Sequence, residues 1–390
     1  MNYNKLSLQL HKKNRGKLEI SSKVPLKTKD DLSIYYTPGV AEPCRKIAEN
    51  KDEVYTYTAK GNLVAVVSDG SAVLGLGNIG PEAALPVMEG KAILFKRFAN
   101  IDAFPICLKT QDVDEIVTIC KALEPTFGGI NLEDISAPRC FEIEERLKKE
   151  TNIPIFHDDQ HGTAIILLAG LKNALKLVKK NLATLKIVIS GAGAAGVAIA
   201  ELLLKAGAKD IILCDSKGAI CGERHDLNQS KKNILANTNP RQICGSISAA
   251  IQGADAFIGV SRPDIISASD VENMADKPLI FAMSNPIPEI MPDEAKRGGA
   301  FIVATGRSDF PNQLNNVLVF PGIFRGALDA RVSNISDQMK LKAADAIAEL
   351  VKNPTVDKIV PGPLEEGVAE AVAAAVKSCA VIQPSTTYEG

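Results

Sequence analysis

KIVISGAGAAGVAIAELLLKAGAKDIILCD, residues 186–215, is the stretch from which the fold is read. KIVIS is an apolar, β-branched run of strand length, and AAGVAIAELLLKAG has the composition of a helix that stops at Gly207. Between them Gly191, Gly193 and Gly196 stand in the spacing GxGxxG. In that context Gly191 permits a tight turn, Gly193 lets main chain approach a pyrophosphate, and Gly196 lets helix and strand pack closely, while the helix N-terminus faces the negative charge. With Ala192, Ala194 and Ala195 these glycines form the expected dinucleotide-binding turn. The next run, IILCD, ends in Asp215, at about the twenty-residue distance where such folds place an acid on the adenosine ribose. A carboxylate there accepts from both ribose hydroxyls and opposes a 2′-phosphate, which favours NAD over NADP; Lys217 argues the other way. The purely structural alternative is a tight strand-to-helix turn followed by a surface aspartate.

Working outward, the runs NLVAVVS, AFPICL, GGINL, IPIF, AFIGV, LIFAM and FIVA repeat the same short apolar pattern, separated by helical patterns. Strands alternating with helices predict parallel sheets with crossover helices, an α/β fold. A chain of 390 residues exceeds the size at which one core keeps growing. HDDQHGTAIILLAGLKNALKLVKKN reads as a loop opening a long helix, and the nucleotide-binding pattern begins after it. The expected division is therefore an N-terminal α/β domain for substrate and metal over residues 1–160, and a Rossmann-type doubly wound parallel sheet over 161–390 that ends in helices. Leu341, Ala344, Ile347, Ala348 and Val351 lie on one face of such a C-terminal helix.

Forty-five basic against 46 acidic residues give a net charge of -1, so nucleic acid and membrane surfaces are not expected partners. The opening MNYNKLSLQLHKKNRGKLEI lacks the apolar core of a signal peptide, and runs such as AIILLAGL fall short of the roughly 18 residues of a membrane span. A cytoplasmic location is expected. The eight cysteines are scattered without a CxxC pair and read as reduced, mostly buried thiols; Cys221 with His225 is too sparse for a metal site.

Two apolar runs end in adjacent acids, GGINL in Glu133 and Asp134, and IPIF in His157, Asp158 and Asp159. Carboxylates at strand ends gather at the mouth of a parallel sheet, where ligands bind. Several together need a cation, and hard oxygen donors suit Mg²⁺ or Mn²⁺, although His157 and His161 suit a softer ion. Helix caps and solvated loop acids are the alternative. In MEGKAILFKRFANID, Lys91 shares a helical face with Leu94, Phe95 and Phe98, while Lys96 and Arg97 point elsewhere. Burial beside a cation lowers the pKa of a lysine and makes it a usable base; the alternative is a packed stem with its ammonium in water.

Taken in order, YYTPGVAEPC (35–44), DGSAVLGLGNIGPEAALPVMEGK (69–91), INLEDI (130–135), HDDQHGTA (157–164), GAGAAG (191–196), SNPIPE (284–289) and NNVLVFPG (315–322) resemble the malic enzyme family, over about residues 15–380 and at the length of its compact bacterial branch. The resemblance implies divalent-metal-dependent, NAD-linked oxidation of L-malate with decarboxylation to pyruvate. It matches Tyr36 and Lys91 to the family's acid and base. It matches Glu133, Asp134 and Asp159 to its metal ligands, with Asp158 relaying protons beside Lys91. Asn285 and Asn316 match substrate-binding asparagines, with Asn315 adjacent; Asn285 also falls at the cofactor. A homodimer is implied, with Tyr36 lent to the partner's site. One departure is Ala72, where longer members carry a substrate-clamping arginine. GLGNIG (75–80) also fits GxGxxG, but no suitably placed acid follows, and the resemblance puts it in the substrate domain. A malolactic enzyme, which keeps bound NAD and releases lactate, fits the same blocks, and a catalytically silent NAD-binding protein is the non-enzyme alternative.

Overall fold

Four short helices open the computed structural model, which describes residues 3–380. These are α1 (Tyr3–Asn14), α2 (Lys29–Tyr35), α3 (Ala41–Glu49) and α4 (Val54–Tyr57), and none of them buries a residue. At the start of α2 the Thr28 hydroxyl accepts from the Asp31 amide while the Asp31 carboxylate accepts from that of Thr28, so both orphan donors are satisfied.

The first sheet holds β1 (Leu63–Ser68), β2 (Asp102–Cys107), β3 (Gly129–Leu132) and β4 (Ile155–His157), all parallel, in the order β2-β1-β3-β4. A parallel sheet needs cover on both faces. Helix α5 (Pro81–Ala99) brings Met88 and Phe95 against Val64 and Val66, while α6 (Val113–Leu123) and α7 (Arg139–Glu150) bring Ile116 and Leu147 against Ala65 and Val67.

Helix α8 (Asp158–Val178) follows β4 without a break. The loop expected over HDDQ is therefore absent: Asp158 and Asp159 occupy the first helical turn, where negative charge suits the exposed amides. Among the described residues α8 is the one helix long and apolar enough to cross a bilayer, but it is mostly buried inside the protein, as in a core helix.

The second sheet comprises β5 (Lys186–Ser190), then helix α9 (Ala194–Lys205), β6 (Asp210–Asp215), β7 (Gly218–Ala219), helices α10 (Gln229–Leu235) and α11 (Ile247–Ile251), β8 (Ala256–Gly259), α12 (Ala268–Glu272), β9 (Leu279–Ala282), α13 (Pro292–Arg297) and β10 (Ile302–Thr305). Its order is β10-β9-β8-β5-β6-β7, parallel throughout except where β7 folds back on β6. The chain moves outward from β5 in both directions, so the sheet is doubly wound and its switch point lies beside the GAGAAG turn. Helices α14 (Phe320–Asp329), α15 (Asp337–Leu350) and α16 (Val368–Ser378) return to the body. The face read from the sequence is buried at Ala344, Ile347, Ala348 and Val351, with Leu341 partly covered.

The cysteine expectation needs one correction. Cys120, Cys140 and Cys214 are buried thiols and Cys44, Cys107 and Cys379 are free, but Cys221 and Cys244 form a disulfide. They stand 23 positions apart, a separation that carries no sequence signal. Their meeting depends on the β6–β7 turn, which carries Cys221 back alongside Gly245, whose carbonyl accepts from the Ala219 amide.

Candidate active site and metal centre

The C-terminal ends of two neighbouring strands carry the acids. Glu133 and Asp134 follow β3, and Asp158 and Asp159 follow β4, so parallel register places all four at one mouth. Carboxylate oxygens of Glu133, Asp134 and Asp159 lie within 4.8 Å of one another. Asp134 holds a left-handed backbone, φ 55, uncommon for a residue other than glycine, and its amide donates to Asp159 Oδ2 at 2.8 Å. That bond joins the end of β3 to the first turn of α8. Asn131 steadies the other side by donating to Glu133 Oε2 at 2.8 Å.

Lys91 reaches this mouth from α5. Its Nζ lies 2.5 Å from Asp158 Oδ2, 2.9 Å from Glu133 Oε1 and 4.1 Å from the centre of the Phe320 ring, with 7% of the residue exposed. The ammonium does not extend to water. Burial pulls its pKa down, as the sequence reading expected, but the Asp158 and Glu133 carboxylates outweigh burial and hold it above the ordinary lysine value. The same burial pushes Asp158 up to about 7 against the opposing pull of Lys91, and raises Glu133. Of the four carboxylates at this mouth Lys91 pairs with two, Glu133 and Asp158, and one oxygen of Asp158, Oδ1, is buried without a hydrogen bond. A hard divalent cation fits this donor set, which contains oxygen only. His157 and His161 do not join it: the His157 ring is fully buried with neither nitrogen bonded, and His161 turns to Glu144 at 2.9 Å.

Asn316 joins the site by donating to Asp158 Oδ2. Asn315 instead caps the short helix that follows, accepting from the Val317 amide at 2.9 Å. Asn285 is exposed between two loops: a Cβ on Gly75 would lie 2.6 Å from the Asn285 carbonyl oxygen, and one on Gly306 would lie 2.6 Å from its Nδ2. Of the 75–80 glycines, Gly75 thus packs against the loop that follows β9, while a Cβ on Gly77 would meet nothing within 4 Å. Tyr36 stands at the end of α2, 67% exposed, and among the described residues no hydrogen bond links its phenol to Lys91, Asp158 or Glu133.

At the GAGAAG turn a Cβ on Gly196 would sit 1.7 Å from the Gly191 carbonyl oxygen, whereas one on Gly193 would meet nothing within 4 Å. The first enforces the close strand-to-helix contact, and the second leaves open the approach a pyrophosphate needs. Asp215 ends β6 as expected, but its surroundings were not foreseen. Arg224 donates to both its oxygens at 2.7 and 2.9 Å, Lys231 donates at 2.6 Å and the Lys217 amide at 2.9 Å. The Lys217 ammonium pairs instead with Asp226 at 2.8 Å.

Sequence reasoning also missed Glu289. Fully buried, it accepts from the Ser261 and Ser284 amides and so ties the end of β8 to the end of β9. Its signal was present as the final residue of the SNPIPE block.

The malic enzyme N-terminal domain matches residues 15–148, and the malic enzyme NAD binding domain matches residues 160–381. The bifunctional malic/malolactic enzyme of Bacillus subtilis is 59% identical over 96% of this chain and 92% of its own length. An NADP-dependent malic enzyme of Rhizobium meliloti is 52% identical over 90% of this chain and 46% of its own length. The crystal structure of an NAD-dependent malic enzyme from Thermotoga maritima superposes with a TM-score of 0.93 at 50% identity, covering 95% of this chain and 98% of that one.

Proposed function

The chain belongs to the malic enzyme family, and on that premise we propose that it oxidises L-malate and decarboxylates the product to pyruvate and CO2, using NAD and a Mg²⁺ or Mn²⁺ ion held by Glu133, Asp134 and Asp159. The observation that carries this reading is the convergence of those three carboxylates within 4.8 Å beside a buried lysine. When bound, the cation supplies positive charge against the oxygen anion that develops at C2, and NAD supplies the hydride acceptor.

The protein's own groups move the protons. Lys91 is protonated while it pairs with Asp158 and Glu133, so to act as base it first passes a proton to Asp158, whose Oδ2 lies 2.5 Å from its Nζ. The neutral amine then takes the C2 hydroxyl proton as hydride leaves C2. Asn316 fixes Asp158 in that relay, and Asn285 and Asn316 orient the substrate. After loss of the C4 carboxyl as CO2, Tyr36 protonates C3. The burial of Lys91 and Asp158 keeps bulk water from short-circuiting the relay.

Support for a homodimer comes from the N-terminal region. Helices α1 to α4 bury nothing, and Ile20, Leu26, Ile34 and Tyr36 are 90%, 66%, 60% and 67% exposed. An apolar surface of that extent fits a second copy of this chain, with Tyr36 delivered to its partner's site.

A second reading has one specific observation in its favour, the malic/malolactic name of the Bacillus subtilis relative. Incubation with L-malate, Mn²⁺ and NAD or NADP, following reduced cofactor, pyruvate and lactate together, separates the two. Pyruvate matching NADH supports the proposal, and lactate without NADH supports the malolactic alternative. Asp159→Ala should in addition weaken Mn²⁺ binding in calorimetry; unchanged affinity would remove Asp159 from the ligand set.

A further inference from the structure

Asp215 occupies the position where a free carboxylate selects NAD, yet it is not free. A carboxylate offers about four acceptor directions, and four donors fill them: the Lys217 amide and Arg224 Nη1 on Oδ1, Arg224 Nη2 and Lys231 Nζ on Oδ2. A ribose hydroxyl can bond Asp215 only by displacing one of these. The local charge is also inverted. Asp215 and Asp226 carry two negative charges, while Lys217, Arg224 and Lys231 carry three positive ones, each paired within this cluster. A group of net positive charge attracts a 2′-phosphate that a lone aspartate would repel.

The cluster is also built rather than incidental. Arg224 lies between the two acids, donating through Nε and Nη2 to Asp226 at 2.9 and 2.8 Å, through Nη1 and Nη2 to Asp215, and through Nη1 to the Gly218 carbonyl at 3.4 Å. Only 14% of its side chain is exposed. Its backbone amide bonds the carbonyl of Cys221, which the disulfide to Cys244 fastens down. Lys231 comes from a different element, the first turn of α10, whose start is capped by Asn228. Two independent segments therefore bring cations to one carboxylate at the tip of β6.

We infer that Arg224 and Lys231 determine cofactor selection, forming a seat for the 2′-phosphate of NADP beside Asp215 and giving the chain use of both nicotinamide cofactors. The inference rests on the dinucleotide reading of the GAGAAG turn. Binding of NAD places the ribose hydroxyls on Asp215 in place of Lys231, whereas binding of NADP turns Lys231 and one edge of Arg224 onto the phosphate. This differs from the simpler expectation that Lys217 opposes Asp215, because the Lys217 ammonium is engaged by Asp226.

The test uses the full chain and two fragments, adenosine 2′,5′-bisphosphate and 5′-AMP, titrated calorimetrically into wild type, Arg224→Gln and Lys231→Gln. Wild type should bind the bisphosphate at least as tightly as AMP. Each variant should lower the bisphosphate-to-AMP affinity ratio by about tenfold or more, the loss of a charge-assisted contact. The NADP-to-NAD ratio of kcat/KM should fall in parallel. Lys231 is the more exposed of the two, so Lys231→Gln carries the test if Arg224→Gln fails to fold. An unchanged ratio in Lys231→Gln, with both fragments still bound, overturns the selectivity role and leaves the dinucleotide site standing. If wild type binds neither fragment, the dinucleotide reading falls and this inference with it.

Discussion

A lysine ammonium that touches two buried carboxylates cannot act as a base until one of them takes its proton, and this makes Lys91 and Tyr36 separable by mutation. Lys91→Ala should lower malate oxidation by about 10²–10⁴-fold, the range of general acid–base catalysis. Tyr36→Phe keeps the ring and removes the hydroxyl, so it should slow ketonisation of supplied enolpyruvate while reduction of supplied oxaloacetate continues. The opposite pattern, with oxaloacetate reduction lost and ketonisation intact in Tyr36→Phe, exchanges the two roles. Asp215 supports a pH prediction away from the carboxylate mouth. Burial alone would raise its pKa, but Arg224, Lys231 and the Lys217 amide hold it at about 2 against an ordinary 3.8. Its folded value is depressed, so the stability it adds is full above about pH 4 and disappears as pH falls through 2, where the unfolded chain has already bound the proton. The melting temperature of wild type should fall through that window more steeply than that of Asp215→Asn; equal slopes would show that the clamp does not act on folding.

At the scale of elements, the β5–α9 turn is the least tolerant of change. Gly196→Ala puts a methyl 1.7 Å from the Gly191 carbonyl oxygen, a main-chain atom with no flexible end to yield. The turn must open, and NAD affinity should drop by at least about tenfold together with a lowered melting temperature. Retained NAD affinity in a variant that melts normally would show that the turn does not hold the cofactor. Nine of the ten strands were legible as apolar runs, because a strand covered on both faces has no alternation to disguise it. The tenth, β7, is two residues pairing antiparallel with β6, too short to leave any periodicity. The start of α8 was misread for a related reason. Asp-Asp looks like loop composition, and only the dipole of the helix behind it makes the first turn a favourable place for both. The clamp on Asp215 was hidden because Arg224 and Lys231 are separated from it by a loop with no pattern of its own, and the disulfide was hidden with them.

For the whole molecule, the site was readable to the extent that it follows strand ends. Glu133, Asp134, Asp158 and Asp159 were found because parallel strands deliver their C-terminal residues to one place. Tyr36 is assigned only through the family resemblance, and it stands 67% exposed at the end of α2. The exposed apolar residues around it lead to an assembly prediction. In sedimentation the protein should run as a dimer, and Ile34→Asp, which puts charge on that surface, should shift it toward monomer with loss of malate turnover. A wild-type monomer with full activity would exclude the shared site.

Helix α8 has one further consequence. Its first turn supplies Asp158 and Asp159 to the mouth of the first sheet, while its remaining length is buried beneath the second, packed with α9 and α15. Cutting the chain just before Asp158 would give one fragment with the lysine and half the acids, and another with the other half and the glycine turn. Neither fragment holds the Glu133, Asp134 and Asp159 cluster alone. The two halves are therefore not interchangeable modules that could be recombined with other partners, as many nucleotide-binding units are, because the joint between them itself completes the carboxylate cluster.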